Sequence, residues 1–437
     1  MLLAGATVEM REDLKLGYFH EYALLAQSGG VQSIPGKNEK ECFDTFLQAM
    51  EFFKINKESQ RQLFHVIAGL LRLSNISFIV RGKGDTIGCT VNSEDELDVI
   101  ARNFSIEPAK LRQALCSRIN TNTTKSNTIS TATTNEVSLH TDPREANHQK
   151  NAIIRYIYRQ LFKFIIQTIN SRCFRGKCDH HISCLDFPGF ENLQNNTLDQ
   201  LCINYCDERL QGHFIDKTLK NEIQLYEKEG LFFGEIVAQE NSKLLKLFHS
   251  KSNGMFTHIE KESTTSGKSS AKDDNILNKF YLTYVQSNAT KTSLYSQENP
   301  KSTSFVIKHY KAAVTYNSSS IVSSSTQDLP PHVLKLLQSS KSTLFQNILS
   351  FGSTDLKKSV SQIGNKTVEL VKDVSKILNE TINSNCNFVF CVKSNDSEQR
   401  DVMDYPCMLK QLKSFEIPSL VKIVRMVKTF LPFFFLF

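Results

Sequence analysis

A short apolar segment, Ile182-Ser183-Cys184-Leu185, delivers an acid, Asp186, into a Phe187-Pro188-Gly189-Phe190 turn, and a second acid, Glu191, follows. In a nucleotide-binding α/β fold, an Asp at the carboxyl end of a strand holds a magnesium-bound water. A glycine just after it lets a backbone N–H approach a terminal phosphate. The next stretch reads as one helix to Tyr226. Leu198, Leu201, Cys202 and Tyr205 recur at helical spacing, as do Leu210 and Phe214. Asn196 is placed to cap this helix with Asp199 three residues on, and Gly230 to end it just after Lys228. Turn and helix are therefore expected to be continuous, so that a displacement at the turn travels along the helix. Alone, a strand, a turn and a helix with two acids are as compatible with plain scaffold as with a site.

The chain has 437 residues, more than one domain usually holds, which implies two or more core-bearing units. Its formal net charge of +7 suits an acidic partner, a filament or a nucleic acid, without choosing between them. Eleven cysteines are scattered without a framework, and no charged start precedes an apolar h-region. Both features point to reduced thiols in a cytoplasmic setting. No apolar run reaches the ~20 residues that a spanning helix needs, the Phe-rich tail from Phe430 to Phe437 included.

Two further chemistries were weighed. A phosphate-cradling loop needs Gly-x₄-Gly-Lys-Ser/Thr, because successive N–H groups must surround the phosphates. Gly36-Lys37 has Gly30 at the wrong spacing and Asn38 after it, and Gly267-Lys268-Ser269 has Glu262 where the first glycine must stand. Both read as solvated loops. Cys173, Cys178, His180, His181 and Cys184 are dense enough in soft ligands to raise zinc, but their spacing is irregular and no second ligand pair is evident. Structural thiols are the favoured reading, and no single cysteine is marked as an activated nucleophile.

The longer text carries a resemblance. Leu185-Asp186-Phe187-Pro188-Gly189-Phe190-Glu191 resembles the switch II turn of the myosin motor domain. Leu201-Cys202-Ile203-Asn204-Tyr205, with Glu208, Leu210, Gln211 and Phe214, is similar to the start of that family's relay helix, and Tyr226-Glu227-Lys228-Glu229-Gly230 to its end. Gly69 to Ile76 resembles a helix-then-strand passage with Ser74 in place of Gly. The stripe Ile153, Ile157, Leu161, Ile165 and Ile169 resembles the long helix before switch II, where Lys150-Asn151 replaces an Arg–Asp pair. Phe305 to Tyr316 reads as alternating strands similar to the family's His–Tyr strand pair, with Lys311 and Ala312 where the family has Ala and Gly. Asn387 to Asn395 resembles a central-sheet strand, with Phe390 in place of Arg. Gln411 to Arg425 resembles the reactive-thiol helices, with Glu416 and Val427 at hinge positions usually held by Gly.

This resemblance implies an α/β fold of the P-loop NTPase-like myosin motor type, helix-rich, with a central mixed sheet lacking its N-terminal strands. The expected segments are an upper actin-binding portion over 1–181, switch II and relay helix over 182–230, a lower actin-binding subdomain over 231–366, a central strand and thiol-helix region over 367–429, and an apolar tail over 430–437. Met1 falls just downstream of switch I by this alignment, and no converter or lever arm is expected in these residues, so light chains are not expected as partners. The implied catalytic residues are Asp186, Gly189 and Glu191. Their usual partners, the phosphate loop and the switch I Arg, do not occur in the 437 residues. ATP and Mg2+ are the cofactors of the complete family member, and no nucleotide is expected on this chain alone. Actin filaments are the implied partner, with no nucleic acid and no transmembrane segment, in the cytoskeleton. The expected contacts are Met255, Phe256, Ile259, Lys261 and Lys268 in the helix pair Gly254–Tyr284, and Lys357 and Lys358 in a polar linker. Two functions remain open: an actin-based motor protein, and a non-catalytic actin-binding or scaffold protein.

Overall fold

The computed structural model describes residues 1–26, 36–83, 87–122, 134–173, 176, 180–230, 240–264, 269–287, 290, 292–326, 329–350, 365–381, 384–397 and 399–434. The chain forms two compact units, one of Met1–Ile182 with Gln327–Ile363, the other of Ser183–Thr326 with Gly364–Phe437.

The first unit is built on the helices Lys57–Leu73 and Pro143–Cys173. Asn56 starts the former by accepting from the Ser59 N–H. Its buried face, Leu63, Phe64, Leu70 and Leu73, meets Ile153, Ile157 and Leu161 of the long helix and Phe345, Ile348 and Leu349. Ile165 packs against the edge of this core and is half-buried, as is Ile169, so the expected stripe is fully buried only in its first half. Lys150 is buried in the same unit, where its ammonium donates to the carbonyls of Ser74 at 3.2 Å and Ile76 at 2.8 Å. Burial lowers its pKa. The carbonyl end of the Lys57–Leu73 helix compensates, since a helix C-terminus favours a cation. Strands Ser117–Asn122 and Thr134–Leu139 pair antiparallel in this unit. Residues 123–133 lie outside the described residues.

The second unit holds the long helix and the sheet it packs on. Helix Leu198–Ile215 runs through a π turn, Asp216–Lys220, into Asn221–Lys228. Gly230 follows at φ +81°, as a helix stop requires. The cap is one residue later than the spacing implied. Thr197 accepts from the Asp199 N–H, and the Gln200 side chain returns to the Thr197 N–H at 2.9 Å, a reciprocal pair that Asn196 cannot make because it is buried against a strand. The sheet has three antiparallel strands, Tyr295–Ser296, Ser304–Lys308 and Ala313–Asn317, with Phe305, Ile307, Val314 and Tyr316 on the inward face. A smaller cluster joins Phe214, Ile215 and Leu219 to Ile423 of the last helix, with Phe388 and Phe390 beside it.

The fold is thus helix-rich with small sheets. The expected central mixed sheet does not form among the described residues, where the sheets have two, two and three antiparallel strands. Residues 180–192 and 385–393 run without strand assignment. A strand exists only through its ladder partners, and neither segment is hydrogen-bonded into a described ladder.

Candidate functional site

The turn that opens the second unit is shaped by one glycine. Gly189 has φ +80°, where an L side chain is strained, and no atom stands within 4 Å of the position a Cβ would take. Backbone conformation, not crowding, therefore requires the glycine here. Asp186 is exposed, and Glu191 is half-buried.

Asn204, on the second turn of the long helix, clasps the far end of the turn. Its Oδ1 accepts the Glu191 N–H at 2.8 Å, and its Nδ2 donates to the Glu191 carbonyl at 2.8 Å. The same Nδ2 donates to the Tyr316 hydroxyl at 2.7 Å. Gln200 donates to the Glu191 carboxylate at 3.1 Å. Asn196 adds a second tie: its side chain bonds both backbone groups of Leu193 and the carbonyl of Thr315, and its own carbonyl accepts the Asn317 N–H. Turn, helix and sheet are thus fastened by side chains that satisfy backbone groups in both directions.

The polar chain continues inward. Tyr316 is hydrogen-bonded to His309 Nε2 at 2.8 Å, and His309 Nδ1 to Glu208 at 3.1 Å, with both residues' side chains fully buried. One assignment satisfies every group. His309 donates from Nδ1 to the Glu208 carboxylate, Tyr316 donates to Nε2, and the tyrosine oxygen accepts from Asn204. Glu208 also accepts from the Tyr310 N–H at 3.0 Å and from Asn241 at 2.7 Å. A carboxylate with three donors is a stable occupant of a dry interior. Burial drives the Tyr316 hydroxyl pKa well above its ordinary value. Beside this network, burial pushes the Asp207 carboxyl up, partly offset by Lys311, and Tyr310 donates to it at 2.6 Å. Cys202 and Cys206, on the same helix, are pushed up to about 12 by burial and are inert thiols.

The remaining expected residues fall in different places. Met255, Phe256 and Ile259 are 0%, 2% and 0% exposed. They lie on the inner face of helix Met255–Thr264, where the Phe256 ring centroid is 5.0 Å from that of Tyr205 and 5.4 Å from that of Phe248. Their assignment as filament contacts is corrected: apolar side chains at this helical spacing are consumed by the core. Lys261 of the same helix is exposed. Lys268, Lys357 and Lys358 lie outside the described residues, as does Cys178. No three His, Cys, Asp or Glu side chains converge on a metal position among the described residues. No described helix is long and apolar enough to cross a membrane.

Asp186 and Glu191 do not by themselves fit ATP and Mg2+. Asp186 points to solvent, the Glu191 carboxylate is engaged by Gln200, and no phosphate-cradling sequence occurs in the chain. No hydrolytic step is derived from them. Asn204, Gln200, Asn196 and His309 carry no site role that sequence reasoning finds. The signal was present for Asn204 and Glu208, which interrupt the apolar stripe of Leu201 and Tyr205 at buried helical positions and so must have polar partners.

A turn carrying two acids is thus clasped to one long helix. The profile of the myosin head (motor domain) family matches residues 1–429, and the chain belongs to that family. It is 27% identical over 430 residues to Myosin-2 of Arabidopsis thaliana, covering 97% of this chain and 33% of that protein. It is 26% identical over 423 residues to the Myosin-I heavy chain of Dictyostelium discoideum, covering 94% and 17%. It is 27% identical over 449 residues to Myosin heavy chain 95F of Drosophila melanogaster, covering 94% and 35%. The chain therefore spans about a third or less of these relatives.

Proposed function

We propose that these residues are the filament-facing and switch-coupling part of a myosin-type, actin-based motor of the cytoskeleton. The observation that carries this reading is the Asn204 clasp, which ties the turn to the long helix in a chain that belongs to the myosin head family along almost its whole length. In a complete motor, ATP and Mg2+ would act at Asp186, Gly189 and Glu191 together with a phosphate loop and switch I. The clasp would pass a change at Glu191 to the helix from Leu198 to Lys228. These 437 residues alone would bind filaments without responding to nucleotide, through Lys261 and the lysines at 268, 357 and 358. A basic protein meeting an acidic filament gains a screened attraction that falls with salt.

A second reading is a non-catalytic actin-binding or scaffold protein. Calorimetric titration with ATP and Mg2+ tests the nucleotide-insensitivity that both readings expect of these residues. Saturable binding and turnover by this chain, abolished in Asp186→Ala, would give the motor reading a complete site and overturn the expectation of nucleotide-insensitive behaviour. Pelleting with filamentous actin is required by both readings.

A further inference from the structure

Beside the clasp, one lysine sits among aromatic rings. The Lys311 ammonium lies 4.5 Å from the ring centre of Phe415, 5.5 Å from that of Tyr310 and 5.7 Å from that of Phe190. The carboxylate of Asp207 is 3.8 Å away, and the lysine side chain is 21% exposed. Each ring is within the range where a cation is attracted by an aromatic face, and shielding from water strengthens the attraction. The rings belong to separate parts of the unit. Phe190 is in the turn, Tyr310 in the loop between two strands, and Phe415 at the break between helices Tyr405–Ser414 and Ile417–Phe434. Phe415 also packs on Phe390 at 4.6 Å, and Phe390 on Phe214 of the long helix at 4.8 Å.

Phe390 and Lys311 contact the same ring, Phe415. We propose that Lys311 is a positioning residue that clamps the turn to the junction of the last two helices. The clamp is electrostatic and multi-sided, so its stem alone does not replace it. Lysine provides a compact charge that several faces share, and Asp207 fixes its direction. Burial lowers the Lys311 pKa and the charge of Asp207 opposes that shift, as a paired cation in a part-dry site requires.

The clamp does not involve filament or nucleotide, so its failure and the failure of the proposed function are read separately. The test is hydrogen exchange on the full chain, followed in peptides covering 187–193 and 411–420, with 57–73 as the reference. Lys311→Met keeps the stem and removes the charge. Exchange in the two test segments is expected to rise together, by about tenfold, the size of one lost interaction of this kind, and the reference to stay unchanged. Lys311→Arg is expected to retain most of the protection. Parent-like protection in Lys311→Met would overturn the clamp. Loosening of one segment without the other would overturn the coupling.

Discussion

Replacing Asn204 by Ala tests the clasp where it is most concentrated. The side chain is fully buried and makes three hydrogen bonds of 2.7 to 2.8 Å. Two of them satisfy the N–H and C=O of Glu191, and the third orders the Tyr316 hydroxyl. Net hydrogen bonds contribute about 1 kcal/mol each, and a buried backbone group left without a partner costs about 1–3 kcal/mol. Half-buried Glu191 recovers some water contact, which places the loss near the lower sum, about 3 kcal/mol. That is a large part of the ~5–15 kcal/mol that holds a typical domain. A chain of two units need not unfold in one step, so the global denaturation midpoint is a poor probe. Hydrogen exchange at the Glu191 and Leu193 amides is the direct assay, with Tyr316→Phe as a partner variant. Asn204→Ala is expected to raise exchange at Glu191 by about a hundredfold, from ~3 kcal/mol of local protection. The cycle with Tyr316→Phe is expected to show coupling of about 0.5–3 kcal/mol. A Glu191 amide as protected in Asn204→Ala as in the parent chain would refute the clasp.

Gly189→Ala is expected to destabilise the second unit by about 1 kcal/mol through its positive φ alone, measured as a lower urea midpoint of that unit, since no neighbour is there to clash. Glu416 has φ +62° and accepts from the Ser419 hydroxyl at 2.7 Å. Glu416→Ala should therefore lose about 1 kcal/mol by giving up the hydrogen bond and keeping the strain. Glu416→Gly should be nearly neutral, because relief of strain offsets the lost bond and the freer unfolded chain. Burial lowers the pKa of His140, His213, His249, His258 and His332. A histidine with a folded pKa below its unfolded value binds fewer protons when folded. Its contribution is therefore complete above the ordinary histidine value and lost as pH falls through the depressed one. Urea midpoints are expected to drop between pH 7 and pH 5, and a flat profile would contradict the burial of these rings.

Much of the long helix was legible in the sequence because its signals are local. Apolar spacing, a stop at Gly230 and a polar start all lie within the segment they describe. The start was misplaced by one residue because Asn196 and Thr197 are both good caps. The choice depends on Thr315, far along the chain, which takes the Asn196 side chain. The strand alternation of Phe305, Ile307, Val314 and Tyr316 was equally readable, since a half-buried sheet shows its period directly. Glu416, where the resemblance places glycine, has φ +62°, a conformation that glycine adopts freely. The helix continues through Val427, the other such position. Burial was not legible at Met255, Phe256 and Ile259. An apolar helix face facing a partner and one facing the core have the same spacing, and only the rings of Tyr205 and Phe248 decide between them. The clasp was hidden for a similar reason, since an Asn shows what it could bond but not that Glu191 and Tyr316 converge on it.

Co-sedimentation with filamentous actin tests the central claim most directly. The full chain and Lys261→Glu are compared, with and without ATP and Mg2+, at low and at raised salt. Lys261 is exposed on a helix whose apolar face is buried, so reversing its charge alters the surface without disturbing the core. Pelleting of the parent chain is expected to be unchanged by nucleotide, to weaken with salt and to fall in Lys261→Glu. A folded, soluble chain that stays in the supernatant with actin at low salt would contradict it.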